Sequence, residues 1–112
     1  MSELTEKIAD FLKVLGDQTR LEVLDLLKNG EKTSKEIEAI LGKSQSTISQ
    51  HLKILIEIQL IDFEKKGNKN YYKIKYDYIF KILTFIQSLV VSLESEKRRK
   101  VSDLDILDTL GV

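Results

Sequence analysis

"ILGKSQSTISQHLKILIEIQLIDFEKKGNKNYYKIKY", residues 40–76, changes its hydrophobic period partway along. Up to about Ile58 the apolar residues Ile48, Leu52 and Leu55 recur at the spacing of an α-helix. From Leu60 the chain alternates instead. Ile61 and Phe63 oppose Asp62 and Glu64, and Tyr72, Ile74 and Tyr76 oppose Lys73 and Lys75. Between the two runs stands Lys66-Gly67-Asn68-Lys69, a turn rich in residues that tolerate positive φ. The pattern predicts a helix that runs directly into a β-hairpin.

Upstream, Thr33 and Glu36 have the spacing of a capping box. The helix they open carries Ile37, Ile40 and Leu41 as its apolar stripe and stops at Gly42. Ser44 is then the N-cap of the next helix. Two short helices joined by a three-residue turn containing glycine form a helix-turn-helix, and a hairpin following at once makes it a winged helix. Further upstream, Leu4, Ile8, Phe11, Leu12 and Leu15 predict an amphipathic helix over residues 3–15. Gly16 breaks it. Asp17 caps a second helix whose core face is Leu21, Leu24 and Leu27, with Val23 alongside, and Gly30 closes it.

Downstream, residues 77–94 return to helix. Eleven of the sixteen residues from 78 to 93 are apolar, while Lys81, Thr84, Ser88 and Ser92 form one narrow polar strip. A helix apolar nearly all round needs a second burial partner. Another copy of the chain fills that role, with an interface at Phe11, Ile79, Ile82, Ile86, Leu89 and Leu93. The expected fold is mainly α with a small β-hairpin, a winged helix-turn-helix that is homodimeric through its N- and C-terminal helices. Residues 1–95 form the domain. Residues 96–112 are a tail, basic and then acidic, with Leu104, Leu107 and Leu110, expected as a short helix or frayed.

At 112 residues one domain is expected. The absence of cysteine excludes a disulfide framework and a thiolate metal site. The N-terminus lacks the apolar core of a signal peptide, and the longest apolar run, Tyr78–Leu93, is short of the roughly 20 residues of a membrane span. A cytoplasmic protein is expected, with no membrane partner. Net charge is zero but unevenly spread. Residues 43–75 hold 7 Lys against 3 acids, whereas residues 1–42 hold 6 Lys/Arg against 9 Asp/Glu. Positive charge concentrated on one stretch is the footprint expected of phosphate binding.

The second helix of the pair explains that footprint. On a wheel of about 100° per residue, Gln45, Ser49, Lys53, Ser46 and Gln50 fall within an arc of about 140°. Ile48, Leu52, Ile54, Leu55 and Ile58 fill roughly the opposite 180–340°. Glutamine reads adenine bidentately in the major groove, and serine donates to or accepts from base edges. The first residues of a recognition helix make such contacts. His51 lies at about 240°, inside the apolar arc, and is expected as a packed histidine that hydrogen-bonds locally or reaches a phosphate. Arg20 is expected as a structural ion-pairing residue.

The motifs "LGDQTRLEVLDLL", "SQSTISQHLKIL" and the strand ending in "YYKI" resemble the ArsR/SmtB family of dimeric winged-helix transcriptional repressors. The resemblance covers about residues 8 to 94, with Gln18 where the family usually has proline. It implies a recognition helix from Gln45 to about Ile58. Gln45, Ser46, Ser49 and Gln50 would touch bases, and Lys53, Lys65, Lys66 and Lys69 would touch phosphate. Double-stranded DNA is the implied partner.

Metal-sensing members use a cysteine pair near the start of the third helix, or His and carboxylates on the last. Here the first position reads Thr33-Ser34-Lys35, and residues 77–94 hold no histidine. Only oxygen ligands remain, at Asp77, Glu94, Asp103, Asp105 and Asp108, and these do not select soft metals. No metal or cofactor is expected, and the effector is unknown. One histidine, no cysteine and no Gly-rich phosphate loop exclude an enzyme. The alternatives are an architectural, chromatin-type DNA binder, disfavoured by zero net charge, and a winged-helix protein-interaction module.

Overall fold

The computed structural model describes Ser2–Thr109. Five helices and three strands follow in the order α1 (Ser2–Leu15), α2 (Gln18–Leu27), β1 (Lys32–Thr33), α3 (Ser34–Leu41), α4 (Gln45–Glu57), β2 (Ile61–Lys66), β3 (Lys69–Ile74) and α5 (Ile79–Thr109). They divide into a unit ending at Asp77 and a second beginning at Tyr78.

In the first unit α2, α3 and α4 each start where a side chain satisfies an otherwise orphaned N–H. Asp17 Oδ1 accepts from the Arg20 N–H at 3.0 Å. Thr33 and Glu36 form the reciprocal capping box: Thr33 Oγ1 accepts from Glu36 N at 3.2 Å, and Glu36 Oε1 accepts from Thr33 N at 3.1 Å. Ser44 Oγ accepts from Thr47 N at 3.2 Å. Gly42, at φ 64°, closes α3 in the left-handed conformation. Gln59 does the same for α4, also at φ 64°. Leu60 N bonds Leu55 O and Gln59 N bonds Ile56 O, the paired return bonds of a Schellman motif. That reversal aims the chain into β2.

The apolar core is drawn from every element of this unit except β1 and β3. Leu15, Val23, Leu24, Leu27, Ile37, Ile48, Leu52, Leu55, Leu60 and Ile61 are all buried. Each such side chain contributes about 1.5–3 kcal/mol of apolar burial. Two expected core residues lie outside it. Leu21 is 37% exposed and Ile40 is 55% exposed. Val23 takes the place expected of Leu21 in α2, and α3 is short enough that Ile37 alone of its stripe is fully buried.

The wing pairs as its alternation predicts: Ile61 faces Ile74, Phe63 faces Tyr72 and Lys66 faces Lys69, around Gly67 at φ 63°. The Phe63 and Tyr72 rings lie 5.9 Å apart. A third strand was not expected. β1, two residues long, adds to β3 with Lys32 opposite Tyr72 and Thr33 opposite Tyr71, giving the order β1-β3-β2.

The second unit is one helix. It does not stop near residue 94 but continues unbroken to Thr109, so residues 96–109 extend α5 instead of forming a separate short helix. No Gly or Pro interrupts residues 79–109, and the charged stretch Glu94–Lys100 is made mostly of good helix formers. Leu110, read with Leu104 and Leu107 as one stripe, lies outside the described residues. No helix among the described residues is long and apolar enough to cross a membrane.

Candidate nucleic-acid interface

Burial of Ile48, Leu52 and Leu55 turns the opposite face of α4 to solvent. Gln45, Ser46, Ser49, Gln50 and Lys53 are all exposed there. Gln45, Ser49 and Gln50 make no side-chain hydrogen bond among the described residues. Their amides and hydroxyls are free to meet a partner. The Ser46 hydroxyl lies 3.3 Å from Ser44 Oγ, within the N-cap cluster that also joins Ser44 to Thr47.

The wing lysines separate into two kinds. Lys65 and Lys69 are exposed and form no ion pair among the described residues. Lys66 is already engaged: Nζ lies 2.6 Å from Glu31 Oε1 and 5.2 Å from the centroid of the Tyr71 ring. Its hydrogen bond to Glu31 holds the ammonium pKa above the ordinary value. Lys66, unlike Lys65 and Lys69, would have to give up or share a carboxylate to reach a phosphate. Lys73 lies 3.9 Å from Glu64.

Pairing of β1 with β3 sets the start of α3 beside the wing turn. Thr33, Ser34, Lys35, Asn68, Lys69, Asn70 and Tyr72 line a cleft of about 370 Å³. Lys35, Asn68 and Asn70 thereby join Lys69 as candidate contact residues. Sequence reasoning missed them because a two-residue strand has no detectable alternation.

Behind the reading face, His51 is part-buried and its Nδ1 accepts a hydrogen bond from Arg20 Nε at 3.1 Å. Arg20 Nη1 also donates to Val14 O at 2.7 Å. Asp17 Oδ1 lies 3.8 Å from His51 Nδ1. The Arg20 N–H bond, ahead of the charges of His51 and Arg20, holds the Asp17 carboxyl below the usual range. His51 is thus part-buried and bonded to a residue 31 positions away, and Arg20 is a structural residue with a carbonyl and an imidazole as its partners.

Among the described residues no three His, Cys, Asp or Glu side chains converge as metal ligands. Of the expected dimer residues, Ile82, Ile86, Leu89 and Leu93 are exposed on α5, and Phe11 is half-buried on α1. Ile79 differs: it is 2% exposed in the single chain.

Residues 17–62 match the family profile described as bacterial regulatory protein, arsR family. The arsenical resistance operon repressor of Staphylococcus aureus is 34% identical over 93 residues, which is 83% of this chain and 86% of that one. Among solved structures, NolR from Sinorhizobium fredii superposes with a TM-score of 0.73 at 31% identity, covering 79% of this chain and 88% of that one. A homodimeric winged helix-turn-helix DNA-binding domain from Mycobacterium bovis, described as a possible ArsR-family transcriptional regulator, superposes with a TM-score of 0.73 at 25% identity. It covers 85% of this chain and 88% of that one.

Proposed function

This chain belongs to the arsR family of bacterial regulatory proteins, and from that premise we propose that it is a DNA-binding transcriptional repressor, acting in the cytoplasm as a homodimer on a palindromic operator. The observation that carries the reading is the exposed face of α4. Gln45, Ser49 and Gln50 offer unpaired hydrogen-bonding groups near the start of a helix whose other face is locked in the core. Such groups match base edges in the major groove, where each base pair presents a distinct donor and acceptor pattern. Lys53, Lys65 and Lys69 flank them as phosphate contacts, with Lys35 beside the wing.

The homodimer reading is supported by the apolar residues left open on two helices. Leu4, Ile8 and Leu12 on α1 and Ile82, Phe85, Ile86, Leu89, Val90 and Leu93 on α5 are all at least 42% exposed. A run of that kind marks an interface. Two copies would set two recognition helices about 34 Å apart, on successive major grooves. The protein acts by binding and not by catalysis. Its release from DNA does not depend on a soft metal, because the chain contains no cysteine and one histidine, and tight selective sites need thiolates or several imidazoles.

Selection of bound duplexes from random DNA tests the reading. A palindrome with half-sites one helical turn apart is expected. Sequence-independent binding would indicate an architectural protein, and no binding a protein-interaction module.

A further inference from the structure

The core residues of α4 seat it by close packing, and a directional bond adds a further restraint on its rotation. Ile48, Leu52 and Leu55 are apolar contacts without direction. A rotation of about 20° moves a side-chain tip ~6 Å from the helix axis by about 2 Å. That displacement takes a base-edge hydrogen bond out of the range of about 2.7–3.2 Å in which it holds. A directional contact is what holds such a bond within that range. On the side of α4 away from Gln45 and Ser49, the directional group is His51, bonded to Arg20 from α2 at 3.1 Å. The same guanidinium holds Val14 O, in the last turn of α1, at 2.7 Å. One side chain therefore ties α1, α2 and α4 together.

We propose that Arg20 and His51 are positioning residues for DNA recognition, and that they work only while His51 is neutral. The inference rests on the reading of α4 as the recognition helix. Because Nδ1 accepts from Arg20 Nε, the imidazole proton sits on Nε2. A second proton can only go to Nδ1. It would abolish the acceptor, set two cations against each other at the same short distance, and turn Nδ1 into a donor. Asp17 Oδ1 lies 3.8 Å away and is the acceptor available to it. Protonation thus exchanges a bond to Arg20 for a bond to Asp17. It releases the guanidinium fork and, with it, the angular setting of α4. Arg20 and Asp17 are the charged groups that meet His51. Among the described residues no charged side chain of α3 or β2 bonds to it.

The chain offers an unusually clean readout, because His51 is its one histidine. Imidazole is the side-chain type that changes charge near neutral pH. The experiment measures affinity for the selected operator and for a scrambled duplex at both pH values, with thermal melts to check folding. The wild-type ratio of specific to non-specific affinity should fall about tenfold from pH 7.5 to 5.5, the worth of one hydrogen bond to a charged group. His51→Asn places an amide oxygen near the position of Nδ1 and does not titrate. It should keep the pH 7.5 ratio and lose the pH dependence. Arg20→Lys keeps the charge but not the fork, and should show the low ratio at both pH values. A wild-type ratio that is flat with pH, or a His51→Asn ratio that falls as the wild type does, overturns the proposal while leaving the DNA-binding reading intact. Wild-type protein that binds the two duplexes equally at pH 7.5 removes both.

Discussion

α4 and α5 are both rich in Ile and Leu, yet the molecule treats them in opposite ways. In α4, Ile48, Leu52 and Leu55 are buried, and the face away from them is polar and open. In α5, Ile82, Phe85, Ile86, Leu89 and Leu93 stay in solvent, Phe85 at 75% exposure. The difference lies in what each helix has to pack against. α4 is surrounded by elements of its own unit, so its apolar arc is matched within one chain. α5 is a single helix of 31 residues forming a unit by itself, and its apolar surface exceeds what one chain covers. One helix is covered by the folding of its own unit, and the other is left open for the assembly proposed above.

The sharpest way to break the comparison is to charge α5. Ile86→Asp should yield monomers by sedimentation, since a buried unpaired charge costs several kcal/mol. Operator affinity should drop about 10²–10⁴-fold as the two-site attachment is lost. A variant that still sediments as a dimer would show that α5 is not the interface. The counterpart in α4 is Leu52→Ala, which removes a side chain only 1% exposed. It should cost about 2–5 kcal/mol of stability in denaturant titrations, with no shift in assembly at low temperature. Stability unchanged within error would mean the arc is not core.

On the open face of α4, Gln45→Ala or Gln50→Ala should lose about 1–3 kcal/mol at the selected site and almost nothing on random DNA. Equal losses on both would assign the face to backbone contact. The wing offers a finer contrast. Lys69→Ala should flatten the dependence of log affinity on log salt by about one unit of slope. Lys66→Ala should change it less, because Glu31 already neutralises that ammonium. Identical slopes for the two variants would mean that the Glu31 pair opens on DNA.

The smallest effect is expected at a cap. Thr33→Ala should cost about 1 kcal/mol. Bonds from the Thr33 N–H and hydroxyl hold the Glu36 carboxyl below its ordinary value of 4.5. A carboxyl lowered in the folded state contributes stability above its unfolded pKa and loses it as pH falls through the folded one. The wild type should therefore lose stability to acid below about pH 4.5 more steeply than Glu36→Gln, which has no carboxyl to titrate, as denaturant titrations between pH 6 and 3 would show. Parallel acid limbs would rule the capping box out as the source.

Much of the fold was legible because its signals are local. Asp17, Thr33 and Ser44 each cap a helix through a residue three positions on. Gly42 ends α3 at positive φ, and the switch from helical to alternating period marks the wing. The exposure of Gln45, Ser46, Ser49 and Gln50 was legible for the same reason, since an apolar arc on one side of a helix leaves the other side to solvent. The extension of α5 past residue 94 was hidden in another way. Its apolar stripe breaks at the charged run, but a helix needs only unbroken backbone hydrogen bonds to continue.

What the sequence determined by itself is therefore the set of elements, their caps and the polar face of α4, because those depend on backbone geometry within a turn or two. Tertiary structure alone decided which leucine of α2 is buried, that β1 joins the wing, and which lysine is free. Lys66 meets Glu31 across 35 positions, and Arg20 meets His51 across 31. No periodicity links residues so far apart. They are brought together only when burial of the shared core fixes how the helices and the wing pack, and so what each charge finds beside it.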